Sequence, residues 1–584
     1  MYGEGESNSE QIPRWLKRVI IVAVILTFAF GLPGMWIYER HASPEASFRS
    51  VAADAVYHTL QLLTMESPHL EGCIPWPLHV GRFSGAAFFL ALTILAFARL
   101  FPDEWKFIKL RLWTKNHVII CGLGELGTRL ALEGRKHNKF VVAIEKSCSA
   151  SKREAMREKG VLVLDRDATE NAQLKQARVQ SAEFVVAACP QDGTNIAIAA
   201  EVGKLMEAAP SRDAQLVCRA LIGSTETRRL LYGNSAFQAT PRYRVNFSDL
   251  DRHALAARQA LRIFPLDFKP IRENDDTWVR LVVIGFGSIG QSLALHAARI
   301  GHFANQVGKS KRLRLTVLES EAHIFDDFKA QYPNLHEVCD FERVALQPQL
   351  GLLLDDLSVI SKEPNMLVTF AFCCEEDEKN FRFGTELLRR MRSANAQILC
   401  HQETRKGFAA LLSDDFNPSE TNSRMHAFGM VEDIVNWENL LHEDEDNLAR
   451  ALHENFTRQH PNQHVSWDEL GEGFRDSNRQ AADHIEIKLR ALGYHSAPLQ
   501  KGQHRIAKFE EPEIELLAKM EHARWCAERF LDGWTLGDTT DREKKVNRCL
   551  VPWAQLPDEE KEKDPEQITA IPSALNNIGR GIYR

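Results

Sequence analysis

Three glycines and one acid, Gly122, Gly124, Gly127 and Glu145, have the types and spacing to hold a phosphate ester. A short apolar run, 118–121, enters Gly122-x-Gly124-x-x-Gly127; an amphipathic stretch follows, and a second apolar run, 140–144, stops at Glu145. That order predicts a strand, a tight turn, a helix and a second parallel strand. The first glycine makes the turn, the second lets backbone approach a pyrophosphate, and the third lets the helix pack close to the sheet. Phosphate would rest on the N–H groups at the helix N-terminus. Glu145, at the tip of the second strand, is placed to accept hydrogen bonds from ribose hydroxyls. Read structurally, the glycines serve only a tight turn, and that reading leaves the acid unexplained.

The elements that must position this site recur. Strands are expected at 161–164, ending in Asp165-Arg166-Asp167-Ala168-Thr169, at 184–188, ending in Cys189-Pro190-Gln191-Asp192-Gly193-Thr194-Asn195, and at 214–219. Strands alternating with helices predict a doubly wound parallel sheet, which binds ligands at the carboxyl ends of its strands. The order then repeats. Gly285-x-Gly287-x-x-Gly290 is followed by a run ending at Glu319, a run at 366–372 and AQILCH at 396–401. Asp377 and Asn380 match Asp192 and Asn195 in identity and spacing, so one domain has been duplicated. The second copy has a basic insertion, 309–314, and lacks the Asp-Ala-Thr run, so its site is the less well defined.

Both halves, 116–263 and 278–436, resemble the cytosolic regulator-of-potassium-conductance (RCK, TrkA-N-like) domain. The resemblance rests on the glycine turn, the terminal acid, Asp167-Ala168-Thr169 and the Asp/Asn pair. It implies α/β doubly wound, Rossmann-like domains that assemble a gating ring beneath a tetrameric pore. It also implies an NAD- or ATP-like nucleotide near Gly122, Gly124, Gly127, Glu145 and Asp167, used for regulation. No substrate domain offers a His/Asp pair or a Lys/Tyr base beside a nicotinamide, so an enzyme is not expected.

Ahead of the first copy, after a short cytosolic tail (1–16), lies a two-span module, 17–101. Apolar runs at 19–37 and 83–101 are of spanning length. The first is too long for a signal peptide and has no small-x-small cleavage site after it. Trp15, Trp36 and Tyr38 fall at the ends of the first run, where headgroups favour amphipathic rings. Arg14, Lys17 and Arg18 precede the first run and Lys106, Lys109, Arg111 and Lys115 follow the second. By the positive-inside rule both termini are cytoplasmic, in a multi-pass protein of the cell (inner) membrane. Between the runs, 50–65 is apolar at helical spacing but too short to span, and a proline-bearing return follows through Pro75-Trp76-Pro77. Span, re-entrant helix, irregular segment, span resembles the pore region of potassium-channel-type tetramers. Thr64-Met65-Glu66-Ser67-Pro68 stands where such a filter carries TVGYG, without its glycines. In a homotetramer, Thr64, Met65 and Glu66 would surround the opening, and a ring of Glu66 carboxylates would favour cations without selecting one. The competing reading makes 50–65 a surface helix and the runs an anchor. The stretch 102–115 has no Gly/Ser run and reads as a stiff connector.

Beyond the copies, 437–509 is charged and helical, with its histidines expected on solvated faces, and 496–509 reads as its connecting end. Residues 510–584 carry Glu521-His522-x-Arg524-Trp525-x-x-Glu528-Arg529, Gly533-Trp534 and Pro552-Trp553. This closely resembles the RyR domain, the repeat of ryanodine receptors, a small mostly helical fold. Trp525, Trp534 and Trp553 could stack on a purine while Arg524 or Arg529 meets phosphate. Alternatively the tryptophans form a small core and the arginines pair with Glu521 and Glu528.

The net charge of −7 gives no case for nucleic acid as a partner. The eleven scattered cysteines lack paired spacing and read as thiols in a reducing compartment, and no metal-ligand spacing occurs. Two readings follow: a ligand-gated cation channel of four chains in a lipid bilayer, or a membrane-anchored nucleotide sensor without a pore.

Overall fold

The computed structural model describes residues 14–66, 70, 72–209, 216–223, 227, 245–306, 311–345, 350–391, 393–412, 424–434, 437, 446–460, 465–500, 504–561 and 563–584. Most of the expected tail, Ser67 and Pro68 of the filter-like stretch, and Lys309 and Ser310 of the basic insertion lie outside them. The chain divides into two compact units: Met1–Lys115 with Ser149–Val163, and Asn116–Cys148 with Leu164–Arg584.

In the first unit, α1 (Arg14–Leu26) passes through a π-turn (Thr27–Gly31) into α2 (Leu32–Ala42). Leu16–Ala42 and α4 (Trp76–Leu100) are both long and apolar enough to cross a membrane. Each overruns its apolar window, because helix hydrogen bonds are made by backbone and do not stop where hydropathy falls. The Pro75-Trp76-Pro77 return is therefore not irregular throughout. It is the start of α4, with Pro77 in the first turn, where a missing N–H forfeits no helical bond.

Helix α3 (Phe48–Leu63) is capped by Ser47, whose side chain accepts from the Ser50 N–H. It buries Val51, Ala55, Thr59 and Leu62, a helical stripe, against α2 and α4. Backbones approach closely here: a Cβ on Gly34 would lie 2.4 Å from Leu78 N, and one on Gly85 2.3 Å from Leu62 O. Thr27 and Ser84 share a buried 2.8 Å hydroxyl bond, and His58 Nδ1 lies 2.8 Å from Glu39 Oε1. The connector is helical as α5 (Pro102–Leu112), with Asp103 and Glu104 in its first turn and Lys109 and Arg111 in its last, matching the helix dipole. Lys106 Nζ donates to Arg157 O, at the end of α7 (Ala150–Glu158), at 3.2 Å.

The second unit holds two six-stranded sheets. The first orders β3 (Leu162–Asp165), β2 (Val141–Glu145), β1 (His117–Cys121), β4 (Ala182–Ala187), β5 (Leu216–Leu221) and β6 (Val245–Leu250). The second, read the same way, orders β9 (Asp340–Ala345), β8 (Arg314–Glu319), β7 (Trp278–Ile284), β10 (Met366–Phe372), β11 (Ala396–His401) and β12 (Met425–Phe428). Both follow one doubly wound order, which puts the switch point between the first and fourth strands of each copy. Central strands such as β1 and β10 are buried along their whole length, as expected when helices cover both faces. Each fully buried Val, Ile or Phe in them contributes about 1.5–3 kcal/mol.

C-terminal to the sheets, helices Asn447–Gln459, Glu472–Asp483 and Ile485–Ala491 lead into Glu511–Leu531. His495–Pro498 pairs antiparallel with Arg580–Tyr583, so the last module reaches back to about residue 494 instead of starting at 510. Two histidines expected in solvent are buried. His453 Nε2 meets Val465 O at 2.7 Å and His484 Nε2 meets His302 O at 2.9 Å, a carbonyl partner that makes burial of an imidazole tolerable. Burial holds His484 well below its ordinary pKa, hence neutral.

Candidate functional site

The first copy's strand tips bring together what the sequence spacing singled out. Gly122 has φ +96°, and the chain enters α6 (Glu125–Lys136) with Gly124 as N-cap. A Cβ on Gly127 would lie 1.9 Å from Gly122 O, so only glycine lets α6 sit this close to the turn. Gly124 is exposed and a Cβ there would touch nothing, leaving the helix N-terminus open to an anion. Glu145 is half-buried at the end of β2. Its Oε2 accepts the Leu123 N–H at 2.6 Å, and Oε1 meets the Ser147 N–H at 3.4 Å, long for a hydrogen bond. The acid thus has a structural task as well, fixing the glycine turn.

Asp167, beyond β3, accepts from the Thr169 N–H at 2.9 Å and the Thr169 hydroxyl at 2.7 Å, and pairs with Lys146 Nζ at 2.9 Å. The lysine and the two Thr169 donors hold its carboxyl down at about 2. Lys146 and Thr169 were not singled out as site residues. Their signal was adjacency, one following the strand-tip acid and the other ending the Asp-Ala-Thr run.

The duplicated Asp/Asn pair proves to be a clamp. Asn195, fully buried, accepts the Cys189 N–H at 2.8 Å and donates to Cys189 O and Leu221 O at 2.9 and 2.8 Å. Asn380 repeats this on Cys374 and His401, at 2.9, 2.8 and 3.1 Å. Asp192 accepts from the Gly223 N–H and Asp377 from the Glu403 N–H. In both copies the pair ties the fourth strand's turn to the end of the fifth.

In the second copy Gly285 has φ +88°, Gly287 is the exposed N-cap of Ser288–Ile300, and a Cβ on Gly290 would lie 2.4 Å from Gly285 O. Glu319 accepts the Phe286 N–H at 2.9 Å, the counterpart of the Glu145 bond. Burial pushes its carboxyl up, but donors from Phe286, Glu321 and Ser320 outweigh this and hold it below the ordinary value.

The C-terminal cluster divides the residues assigned to it. Arg524 is buried: its guanidinium donates to Glu521 Oε1 at 3.0 and 2.8 Å and to Glu528 Oε2 at 2.8 Å, while Lys488 Nζ reaches Glu521 Oε2 at 2.6 Å. It is therefore withdrawn from any phosphate, because freeing it would strand two buried carboxylates. Trp525, Trp534 and Trp553 are half-buried. Arg529 lies 5.7 Å over Trp525 and 5.5 Å over Trp534, and His522 stands between Trp525 and Trp553 at 5.9 and 5.7 Å. In the first unit, Thr64 is the C-cap of α3, Met65 takes a left-handed conformation (φ +61°) and the Glu66 N–H donates to Gln61 O at 3.1 Å. This is a Schellman-type helix end, with all three side chains exposed.

Residues 118–232 match the TrkA-N domain and residues 494–583 the RyR domain. Each match covers only part of the chain. An uncharacterized protein of Methanothermus fervidus is 27% identical over 206 residues, 33% of this chain and 31% of that protein, so the chain spans about a third of its curated relative's length. Among solved structures, the GsuK channel is 16% identical, covering 74% of this chain and all of its own (100%), with a TM-score of 0.38. The GsuK channel bound to NAD is 12% identical, covering 86% and 91%, with a TM-score of 0.37. At such scores the superposition is too loose to bear on function.

The TrkA-N domain therefore gathers Gly122, Gly124, Gly127, Glu145 and Asp167 at one set of strand tips. The RyR domain keeps its tryptophans near the surface but exchanges Arg524 for Arg529 as the accessible cation.

Proposed function

We propose that four copies of this chain form a cation channel in the cell membrane, gated by a nucleotide of the NAD or ATP type bound at the TrkA-N strand tips. A single juxtaposition carries the reading. Helix α4, of spanning length, runs through Phe101 into α5, and α5 leads directly into β1, the strand that delivers the glycine turn. Phosphate rests on the N-terminus of α6, and ribose hydroxyls reach Glu145. Binding regulates, with no hydride transferred, and shifts the gate only through different affinity for its open and closed forms. Helix α3 re-enters the membrane, Glu66 rings the opening, and both termini stay cytoplasmic. The RyR domain's face of Trp525, Arg529 and Trp534 offers a second place for a planar anionic ligand.

The helix cap at Thr64–Glu66, with no glycine pair, favours a second reading in which the chain is a membrane-anchored sensor without a pore. Single-channel recording of purified protein in bilayers, with and without NAD or ATP, tests the first. Glu66→Gln should alter conductance or selectivity; silence under both nucleotides would leave the sensor.

A further inference from the structure

The two glycine turns are alike in backbone but differ at the acid. Glu145 is half-buried, and its Oε1 has one long bond, so ribose hydroxyls can take it up. Glu319 is only 9% exposed, and both of its oxygens are used: Oε2 by the Phe286 N–H at 2.9 Å, Oε1 by the Ser320 hydroxyl at 3.0 Å and the Glu321 N–H at 3.1 Å. Arg343, from β9, then crosses the tip of β8, donating to Glu319 O at 3.2 Å and Ser320 O at 3.0 Å. In the first copy Glu145 O takes the backbone N–H of Arg166 at 3.1 Å, while the Arg166 side chain is exposed and donates to Asp165 O. The second turn is also held shut from below. Phe286 is fully buried, with ring centroids 5.0 Å from Phe328 and 6.2 Å from Phe341.

The second copy's helices meanwhile carry the RyR domain. Ser288–Ile300 packs against Glu511–Leu531, His302 O takes the His484 ring, and Asn334 Nδ2 donates to Trp534 O at 2.9 Å.

We infer that the second copy is a nucleotide fold whose strand-tip acid is taken up by its own turn, kept as the seat of the RyR domain. Each chain then takes one nucleotide at its α/β tips, in the first copy. This rests on the nucleotide reading of the first tip. A ribose that reached Glu319 would have to displace the Ser320 hydroxyl or the N–H groups of Phe286 and Glu321, and so exchanges one hydrogen bond for another with no net gain.

The test uses the full chain in detergent with radiolabelled 8-azido-ATP and 2-azido-NAD, photolysed and mapped by peptide, alongside equilibrium dialysis with NAD and ATP. Label confined, within the two copies, to peptides of 116–223 supports the inference. Label on peptides of 278–402 overturns it while leaving the nucleotide reading intact, whereas no label in either copy overturns both. These measurements need no substitution and so do not depend on a variant folding. Glu145→Ala should weaken binding about tenfold or more, the loss expected for a charged acceptor. Arg343→Ala and Glu319→Gln should leave affinity unchanged. A loss with Glu319→Gln equal to that with Glu145→Ala would overturn the inference.

Discussion

The TrkA-N strand tips and the RyR cluster both presented binding residues at the level of sequence, yet they differ in what sets their geometry. At the strand tips the chemistry belongs to backbone: a turn at Gly122, a close approach at Gly127, N–H groups at the start of α6. At the RyR cluster it belongs to which charged side chain pairs with which. Arg524 is buried between Glu521 and Glu528, and Arg529, one helical turn and a residue on, lies over the indoles with Glu528 Oε1 3.6 Å away. A motif that acts through backbone survives translation into three dimensions; one that acts through charged side chains is decided by which of them are buried together, here Arg524 with its helix neighbours Glu521 and Glu528.

The largest effect that probes this contrast is Arg524→Leu. It removes the buried guanidinium that Glu521 and Glu528 share, leaving Glu521 to Lys488 and Glu528 to Ser477 and Arg529, and should cost about 3–5 kcal/mol, read by chemical denaturation of the full chain. A stable Arg524→Leu protein with impaired ligand binding would return Arg524 to the site and erase the contrast. Gly127→Ala should cost about 1–3 kcal/mol by forcing α6 away from the turn, and should weaken NAD or ATP binding, while Gly124→Ala should leave stability nearly unchanged. Asn195→Ala and Asn380→Ala each remove one clamp and should cost about 1–3 kcal/mol in their own copy. Unequal costs by hydrogen exchange would show that the duplicated pair has diverged.

The smallest effect is one of pH. Asp167 has its folded pKa lowered from 3.8 to about 2 by Lys146 and Thr169. The stability it contributes is therefore present above about pH 4 and lost as pH falls toward 2. Lys146→Ala should shrink that acid-labile component, seen as a smaller drop in denaturation midpoint between those pH values. An unchanged drop would mean that Thr169 alone holds the carboxylate.

Legibility followed burial. The central strands, β1, β2, β4, β7, β8, β10 and β11, read as apolar runs because both faces are covered. Of the four edge strands, β3 was legible at 161–164, but β6, β9 and β12 were not: VNFSDL and DFERVA mix polar with apolar residues, and MHAF is short. The duplication was legible from Asp192/Asn195 and Asp377/Asn380, but their purpose as clamps was not, since it depends on carbonyls at Leu221 and His401. Likewise Glu145 was legible as an acid at a strand tip, whereas its bond to the Leu123 N–H needed the turn to be folded first. Hydropathy located the two helices long and apolar enough to cross a membrane but not their ends, because charged residues at Glu39 and Arg40 continue the first helix unbroken.

The π-turn at Thr27–Gly31 sets the angular phase of the first long helix. Each residue advances an α-helix by about 100°, so excising one residue there would swivel the preceding segment by roughly that angle. Leu16 and Ala23, now turned inward, would face away from the neighbouring helices, and the Thr27–Ser84 hydroxyl pair would lose its alignment.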